Sequence, residues 1–355
     1  MDNQRNMIMA VVLTGLILFG WDAGMRYFYP DAYKPKPAVS AKVDPAAPAT
    51  PGKPTREGGL TSAADIALEE RDLKTALTPA SRVAIQAPGL VGSINLVGGM
   101  VDDLSTTRHT AAQGKQSELQ RIFSPAGTPA QHFAQFGWTG QGADLPGRDT
   151  VWSAPQGAKL TPQSPVALSW SNSTGQTFTL RYAIDADYML TVTQSMANAG
   201  AGAVVVQPVA QINRTQKTAS LDSYNVHSGP IGAFDEKVSF DPDYDDIAEA
   251  EGRTLATEGR TDWIGFTDIY WMSTLIPEKA PASSDYRAMD GGIFIANLFY
   301  GKDAVAPGAS LTRITRLFAG AKESDVLDRY EEQGVANFGL AIDWGWFRWF
   351  EKPIF

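Results

Sequence analysis

From Val83 onward the chain repeats apolar residues at every second position through most of its length, and this period limits its possible folds more than any other feature. Successive side chains on a strand point to opposite faces, so such a run buries one face and leaves the other to solvent or to a second layer. Val83, Ile85 and Ala87 alternate, followed by Ile94 and Leu96. Val166 to Trp170, Thr177 to Ile184, Tyr188 to Met196 and Val204 to Ile212 continue the pattern, with Leu190, Val192, Gln194 and Met196 sharing one face. Ile293 to Tyr300 and Leu311 to Phe318 close the set. Asn172 to Gly175 and Asn198 to Gly202 carry the turn chemistry that joins strands. A parallel sheet needs helical crossovers between strands, and these are missing. The expected architecture is therefore mainly β, a large sandwich of antiparallel sheets packed face to face. The 22 prolines and 33 glycines agree, because Pro removes a backbone donor and Gly costs entropy inside a helix.

Helical spacing is confined to the flanks of this body. Ser62 is a capping type of residue, and Ile66, Leu73 and Leu77 fall on neighbouring turns before Pro79 ends the run. After Ser324 the residues Val326, Leu327, Tyr330, Gly334 and Phe338 form one stripe with charges opposite.

Both ends of the sequence read as lipid-facing. Met7 to Trp21 is an uncharged stretch that includes Val11, Leu13, Leu16 and Leu18. As a helix it spans roughly 22 Å of a roughly 30 Å hydrocarbon layer, and Ala23 to Tyr29 extend it, with Arg26 able to snorkel. A cleaved signal peptide is the rival, but Gly20-Trp21-Asp22 makes a poor cleavage site and Val39-Ser40-Ala41 lies well downstream. The expectation is an uncleaved anchor with Arg5 on the cytoplasmic side and the rest of the chain exported. Seven prolines between Pro30 and Pro54 mark a linker, reaching at most about 78 Å as polyproline II. At the other end, Trp344 to Phe355 reads WGWFRWFEKPIF. On a helix Trp346, Phe347, Trp349 and Phe350 oppose Arg348, Glu351 and Lys352, which suits a helix lying in the membrane interface.

Little points to catalysis. Zero cysteines exclude disulfides, thiolate nucleophiles and thiolate metal sites, and a net charge of −9 gives no basic field for nucleic acid. His109, His132 and His227 stand far apart without helical i, i+4 pairing, so each is read as a surface or packing residue. Only His227 sits in a turn-rich setting suited to a cleft. The run Asp241-Pro242-Asp243-Tyr244-Asp245-Asp246 resembles the start of a calcium loop but has Asp246 where Gly is needed and Gly252 where Glu is needed, so a solvated acidic loop is expected. Gly200-Ala201-Gly202 lacks the third glycine of a dinucleotide fingerprint, and no phosphate loop or nucleophile elbow is present. The four rings between Trp263 and Trp271 are compatible with core packing. No cofactor or metal is expected.

Several segments, taken in order, resemble the YidC family of membrane-protein insertases. They are Gln4-Arg5-Asn6 with the apolar run to Trp21; Gly92-Ser93-Ile94-Asn95-Leu96 with Asp102-Asp103-Leu104; and Gly229-Pro230-Ile231-Gly232. They continue with Trp263-Ile264-Gly265-Phe266-Thr267-Asp268 and Tyr270-Trp271; Leu317 to Glu323; and Asp343-Trp344-Gly345-Trp346 running to Phe355. The resemblance implies a transmembrane anchor over 1–29, a linker over 30–59 and a periplasmic β-supersandwich similar to galactose mutarotase over 60–321. A C-terminal helix over 322–341 and an interfacial helix over 342–355 would follow. It implies the bacterial inner membrane, with contacts to the lipid bilayer and to the Sec translocon and its accessory subunits. In the family, insertion itself belongs to a following bundle of membrane helices that receives nascent membrane proteins, and this sequence is expected to stop before that bundle. The resemblance thus implies a scaffold or translocon-contact module that is not an enzyme. The alternative is an anchored periplasmic carbohydrate-binding or mutarotase-like protein, and sugar catalysis would need a paired acid and base converging in a cleft.

Overall fold

The period-two segments form strands because β-branched and aromatic residues fit a pleated, half-buried surface, and the alternation decides which face each strand buries. In the computed structural model the described residues are 58–78, 82–110, 119–220 and 227–342. The anchor residues Met7 to Trp21 and the interfacial residues Trp346, Phe347, Trp349 and Phe350 lie outside them. Among the described residues no helix is long and apolar enough to cross a membrane.

Two sheets organise these residues. The first runs Thr254–Ala256, Ala282–Met289, Ile293–Tyr300, Val204–Thr215, His132–Gln141, Met100–Thr110, Leu90–Asn95, Arg82–Gln86 and Lys159–Leu160. Asp303–Val305 pairs with Val204–Thr215, and Leu119–Phe123 with Met100–Thr110. The second runs Lys237–Ser239, Gly229–Phe234, Thr261–Thr267, Trp271–Glu278, Ser310–Ala321, Met189–Asn198, Gln176–Ile184 and Val166–Ser171. Long neighbours are antiparallel, and the short pairing of Arg82–Gln86 with Lys159–Leu160 is parallel.

The inner faces of the sheets share one core. Leu190, Val192, Gln194 and Met196 are all fully buried, as their shared face predicts. Gln194 is polar on that face because it bridges the layers, its Nε2 donating to the carbonyls of Gly137 at 2.8 Å and Val209 at 3.2 Å. The Trp138 and Phe178 rings meet edge-on at 5.1 Å, and the Tyr182 hydroxyl donates to the Gly99 carbonyl at 2.7 Å. The hydrogen bond offsets the cost of burying the Tyr182 hydroxyl.

Among the described residues, three α-helices flank the sheets. Helix α1, Ala63–Ala76, begins where Ser62 accepts a hydrogen bond from the Asp65 N–H. Its buried residue is Glu69, whereas Ile66 is 42% exposed, so a carboxylate rather than the apolar spacing holds this helix down. Helix α2, Tyr244–Glu249, occupies the acidic run that the sequence suggested was a solvated loop. Asp243 and Asp246 form a reciprocal capping box, and Tyr244 and Ile247 turn inward. Helix α3, Ser324–Glu332, buries Val326, Leu327 and Tyr330 but stops short of the expected stripe. Gly334 has φ +89°, and the Val335 N–H reaches the Tyr330 carbonyl at 3.0 Å while the Gly334 N–H reaches Glu331 at 2.9 Å. This left-handed ending closes the helix, and Phe338 is buried from the following 3-10 turn, Phe338–Ala341.

Candidate functional site

The segments Gly229–Phe234 and Thr261–Thr267 are adjacent antiparallel strands, with Gly229 opposite Thr267, Ile231 opposite Gly265 and Gly232 opposite Ile264. Trp271–Glu278 pairs on the far side of Thr261–Thr267, so the sequence from Trp263 to Trp271 is a strand, a turn and the start of the next strand. Gly229, Pro230, Gly232, Trp263 and Gly265 are all buried in this ribbon. Trp263 donates from its indole N–H to the Ala336 carbonyl at 2.8 Å and meets Phe338 edge-on at 5.6 Å, which fixes the chain beyond α3 to the sheet. Tyr270 stands apart from its neighbours at the turn, 58% exposed.

Asp268 leaves the strand end and points into the protein. Its Oδ2 accepts from Arg214 Nη2 at 2.6 Å, and its Oδ1 accepts from the Ser220 N–H and the Ser228 hydroxyl, both at 3.0 Å. Burial pushes this carboxyl's pKa up, but the Arg214 charge and the three donors outweigh burial and hold it below the ordinary carboxylate range. Arg214 reaches the site because Val204–Thr215 turns Val204, Val206, Ala210, Ile212 and Arg214 to the same inner face. The inward phase of Arg214 is the sequence signal for this buried pair.

Register brings His132 beside Arg214, since the two are paired residues on neighbouring strands. The His132 ring is buried against Phe123 at 4.7 Å, and its Nε2 lies 2.9 Å from Ser273 Oγ. Burial first, and the nearby Arg214 charge second, hold its pKa well below 6.5, so the ring is neutral at pH 7. Tyr244 is buried behind Phe266, stacked on its ring, with its hydroxyl pushed up to about 12 by burial.

These groups border a cleft of about 380 Å³ whose polar lining includes Glu69, His132, Arg214, Asp268 and Ser273. Phe266, Trp271 and Met272 supply apolar wall. Helix α1 lies along one side. Glu69 Oε2 accepts from the Ala130 N–H at 2.8 Å, and Lys217 Nζ sits 3.1 Å from Asp65. The cleft histidine is thus His132. His227, the one its turn-rich setting suggested, instead places Nε2 2.7 Å from the Pro230 carbonyl. His109 pairs with Glu323 at 2.9 Å. A neutral imidazole, a charge-balanced ion pair and a hydroxyl can bind and orient a polar group.

A pH prediction follows from His132. A depressed folded-state pKa means the unfolded chain takes the proton more readily, so its contribution is present above about pH 6.5 and is lost as pH falls. Urea midpoints measured from about pH 7 to pH 5 should decline in the parent chain, and the decline should flatten in His132→Gln. Parallel slopes in the two chains would refute a neutral buried ring.

A family model described as the YidC periplasmic domain matches residues 82–355. The membrane protein insertase YidC of Zymomonas mobilis is 35% identical over 99% of this chain and 59% of its own length. That of Ruegeria pomeroyi is 36% identical over 100% of this chain and 60% of its own length. The chain belongs to the YidC family. It spans about three fifths of the length of these curated relatives. Among solved structures, a galactose mutarotase related enzyme from Lactobacillus acidophilus overlays with a TM-score of 0.47 at 10% identity, covering 67% of this chain and 97% of that one. A putative aldose 1-epimerase from Escherichia coli gives 0.42 at 11% identity, covering 68% of this chain and 99% of that one. The segments Gly92 to Leu96 and Asp102 to Leu104 are also bonded together, Ser93 Oγ donating to Asp103 Oδ2 at 2.7 Å. Buried Arg82 pairs with Asp102 and donates to Ser93 Oγ at 2.8 Å, and Arg121 meets Asp103 at 2.6 Å.

Proposed function

We propose that this chain is the anchored, periplasmic portion of a membrane-protein insertase, and that its β domain is a scaffold that contacts the Sec translocon and its accessory subunits rather than a catalyst. The observation that carries this reading is similarity along essentially the whole chain to proteins named membrane protein insertase YidC. In this reading Met7 to Trp21 crosses the inner membrane with the N-terminus in the cytoplasm. The proline-rich segment then spaces the β domain from the bilayer, and Trp346, Phe347, Trp349 and Phe350 lie in the outer interface. Nascent membrane proteins are the substrates of the whole insertase. The Asp268 cluster serves as a structural clamp in this arrangement, since its carboxylate is saturated by three donors.

The absence of cysteine makes topology directly measurable. Tyr270→Cys places a single thiol on an exposed turn. A membrane-impermeant maleimide should label it in cells whose outer membrane alone has been opened. Labelling only after the inner membrane is broken would overturn the periplasmic placement. Translocon contact is tested by removing residues 59–319 from the full protein and measuring co-purified translocon, which should drop to background. Unchanged recovery would remove the partner role from the β domain.

A further inference from the structure

A helix of 14 residues is marginal in water by itself and keeps its shape in a protein by burying an apolar face. Helix α1 buries no such face. Its one buried residue is Glu69, whereas Ile66 is 42% and Leu68 37% exposed and Leu73 is half-buried. The contacts that fasten it to the sheets are polar. The Gly59 N–H donates to the Thr218 carbonyl at 3.0 Å just ahead of the helix. Lys217 Nζ meets Asp65 at 3.1 Å, the Ala130 N–H donates to Glu69 Oε2 at 2.8 Å, and Arg82 Nη1 donates to the Ala76 carbonyl at 3.2 Å. A surface ion pair and single hydrogen bonds each contribute little. Glu69 Oε1 is buried with no partner among the described residues, so the deepest of these contacts carries a cost that release into water removes.

We infer that α1 is a releasable clasp, docked on the β domain through these polar contacts and able to come away, unwinding as it leaves, while the two sheets stay folded. It stands ahead of the first strand, Arg82–Gln86, on the side of the chain that carries the proline-rich linker. As a helix its 14 residues cover about 21 Å, and as extended chain about 43 Å. Release therefore lengthens the connection to the anchor by about 22 Å. What the added reach serves rests on the anchored placement proposed above. The release itself is read within the β domain, so the two fail separately.

The test uses the full chain in lipid nanodiscs, where the lack of cysteine allows two spin labels to be placed at chosen positions. Leu68→Cys on α1 and Gly147→Cys on the β domain are both exposed. Double electron-electron resonance between them should show a narrow docked population and a broad released one. Hydrogen exchange should agree, with the amides of α1 exchanging at least about a hundredfold faster than those of Met189–Asn198. Lys217→Glu turns the ion pair with Asp65 into a repulsion at a position that is 50% exposed. It should raise the ratio of released to docked α1 about fivefold while leaving the thermal midpoint of the domain unchanged. A single narrow distance in both chains, or α1 amides as slow as the core strand, overturns the clasp. So does a broad population that Lys217→Glu leaves as it was, because these contacts then do not hold the helix. A lowered thermal midpoint in Lys217→Glu means that α1 melts with the sheets as one unit, and overturns it as well.

Discussion

Asp268→Ala is expected to lower the unfolding free energy of the β domain by about 3–5 kcal/mol, because it leaves the Arg214 guanidinium buried without its counter-charge. Arg214 is 2% exposed, and its other contacts are two long hydrogen bonds of 3.4 Å to the Thr267 and Thr218 carbonyls. The Ser220 N–H and the Ser228 hydroxyl lose their acceptor in the same step. Urea titration followed by tryptophan fluorescence reads the loss. The paired change Arg214→Met with Asp268→Leu should recover much of it, since apolar groups of similar volume often replace a buried ion pair without penalty. A single variant as stable as the parent would show that Arg214 finds water in place of Asp268. The pH dependence has a definite sign. A carboxyl held below its ordinary value of 3.8 contributes stability that is complete above about pH 4 and lost as pH falls through its folded pKa. In acid this loss adds to the earlier one from His132.

Gly265→Ala is expected to be comparably severe, at least about 3 kcal/mol, the upper end of overpacking costs. A methyl group at Gly265 would overlap the Ser273 carbonyl oxygen and lie 2.8 Å from Thr274 Cα. Both obstacles are backbone of the paired strand, so no rotamer change relieves them. Gly147→Ala is the matched control, since a methyl group there meets nothing within 4 Å, and it should stay within about 0.5 kcal/mol of the parent. Equal denaturation midpoints for the two variants would mean that the strands can separate at Gly265 at little cost.

The strands were legible because burial on one face imprints period two directly on the sequence, as Met189–Asn198 shows residue by residue. Helix ends were less so. The apolar stripe after Ser324 continues through Phe338, yet a left-handed glycine intervenes, and spacing alone does not register a change of backbone hand. The acidic run at Asp241 looked like solvated charge because capping uses the same residue types that solvation favours. The cleft was the least visible feature. Glu69, His132, Arg214 and Asp268 lie far apart in sequence; strand pairing sets His132 beside Arg214, packing of one sheet on the other brings Asp268 to them, and helix α1 adds Glu69. Two of the four still left a trace, since His132 and Arg214 occupy inward phases of otherwise apolar strands. Glu69 left none, lying on a helix whose neighbouring apolar residues face solvent.

The order of strands in the second sheet sets when this domain can close. Ser310–Ala321 is inserted between Met189–Asn198 and Trp271–Glu278, so it is the last long strand made and joins two halves completed earlier. A ribosome releasing the chain from its N-terminus leaves both of those edges open until residue 321 has emerged. Over that interval one edge of Met189–Asn198 and one edge of Trp271–Glu278 stand without their partner strand, open to wrong pairing with other chains.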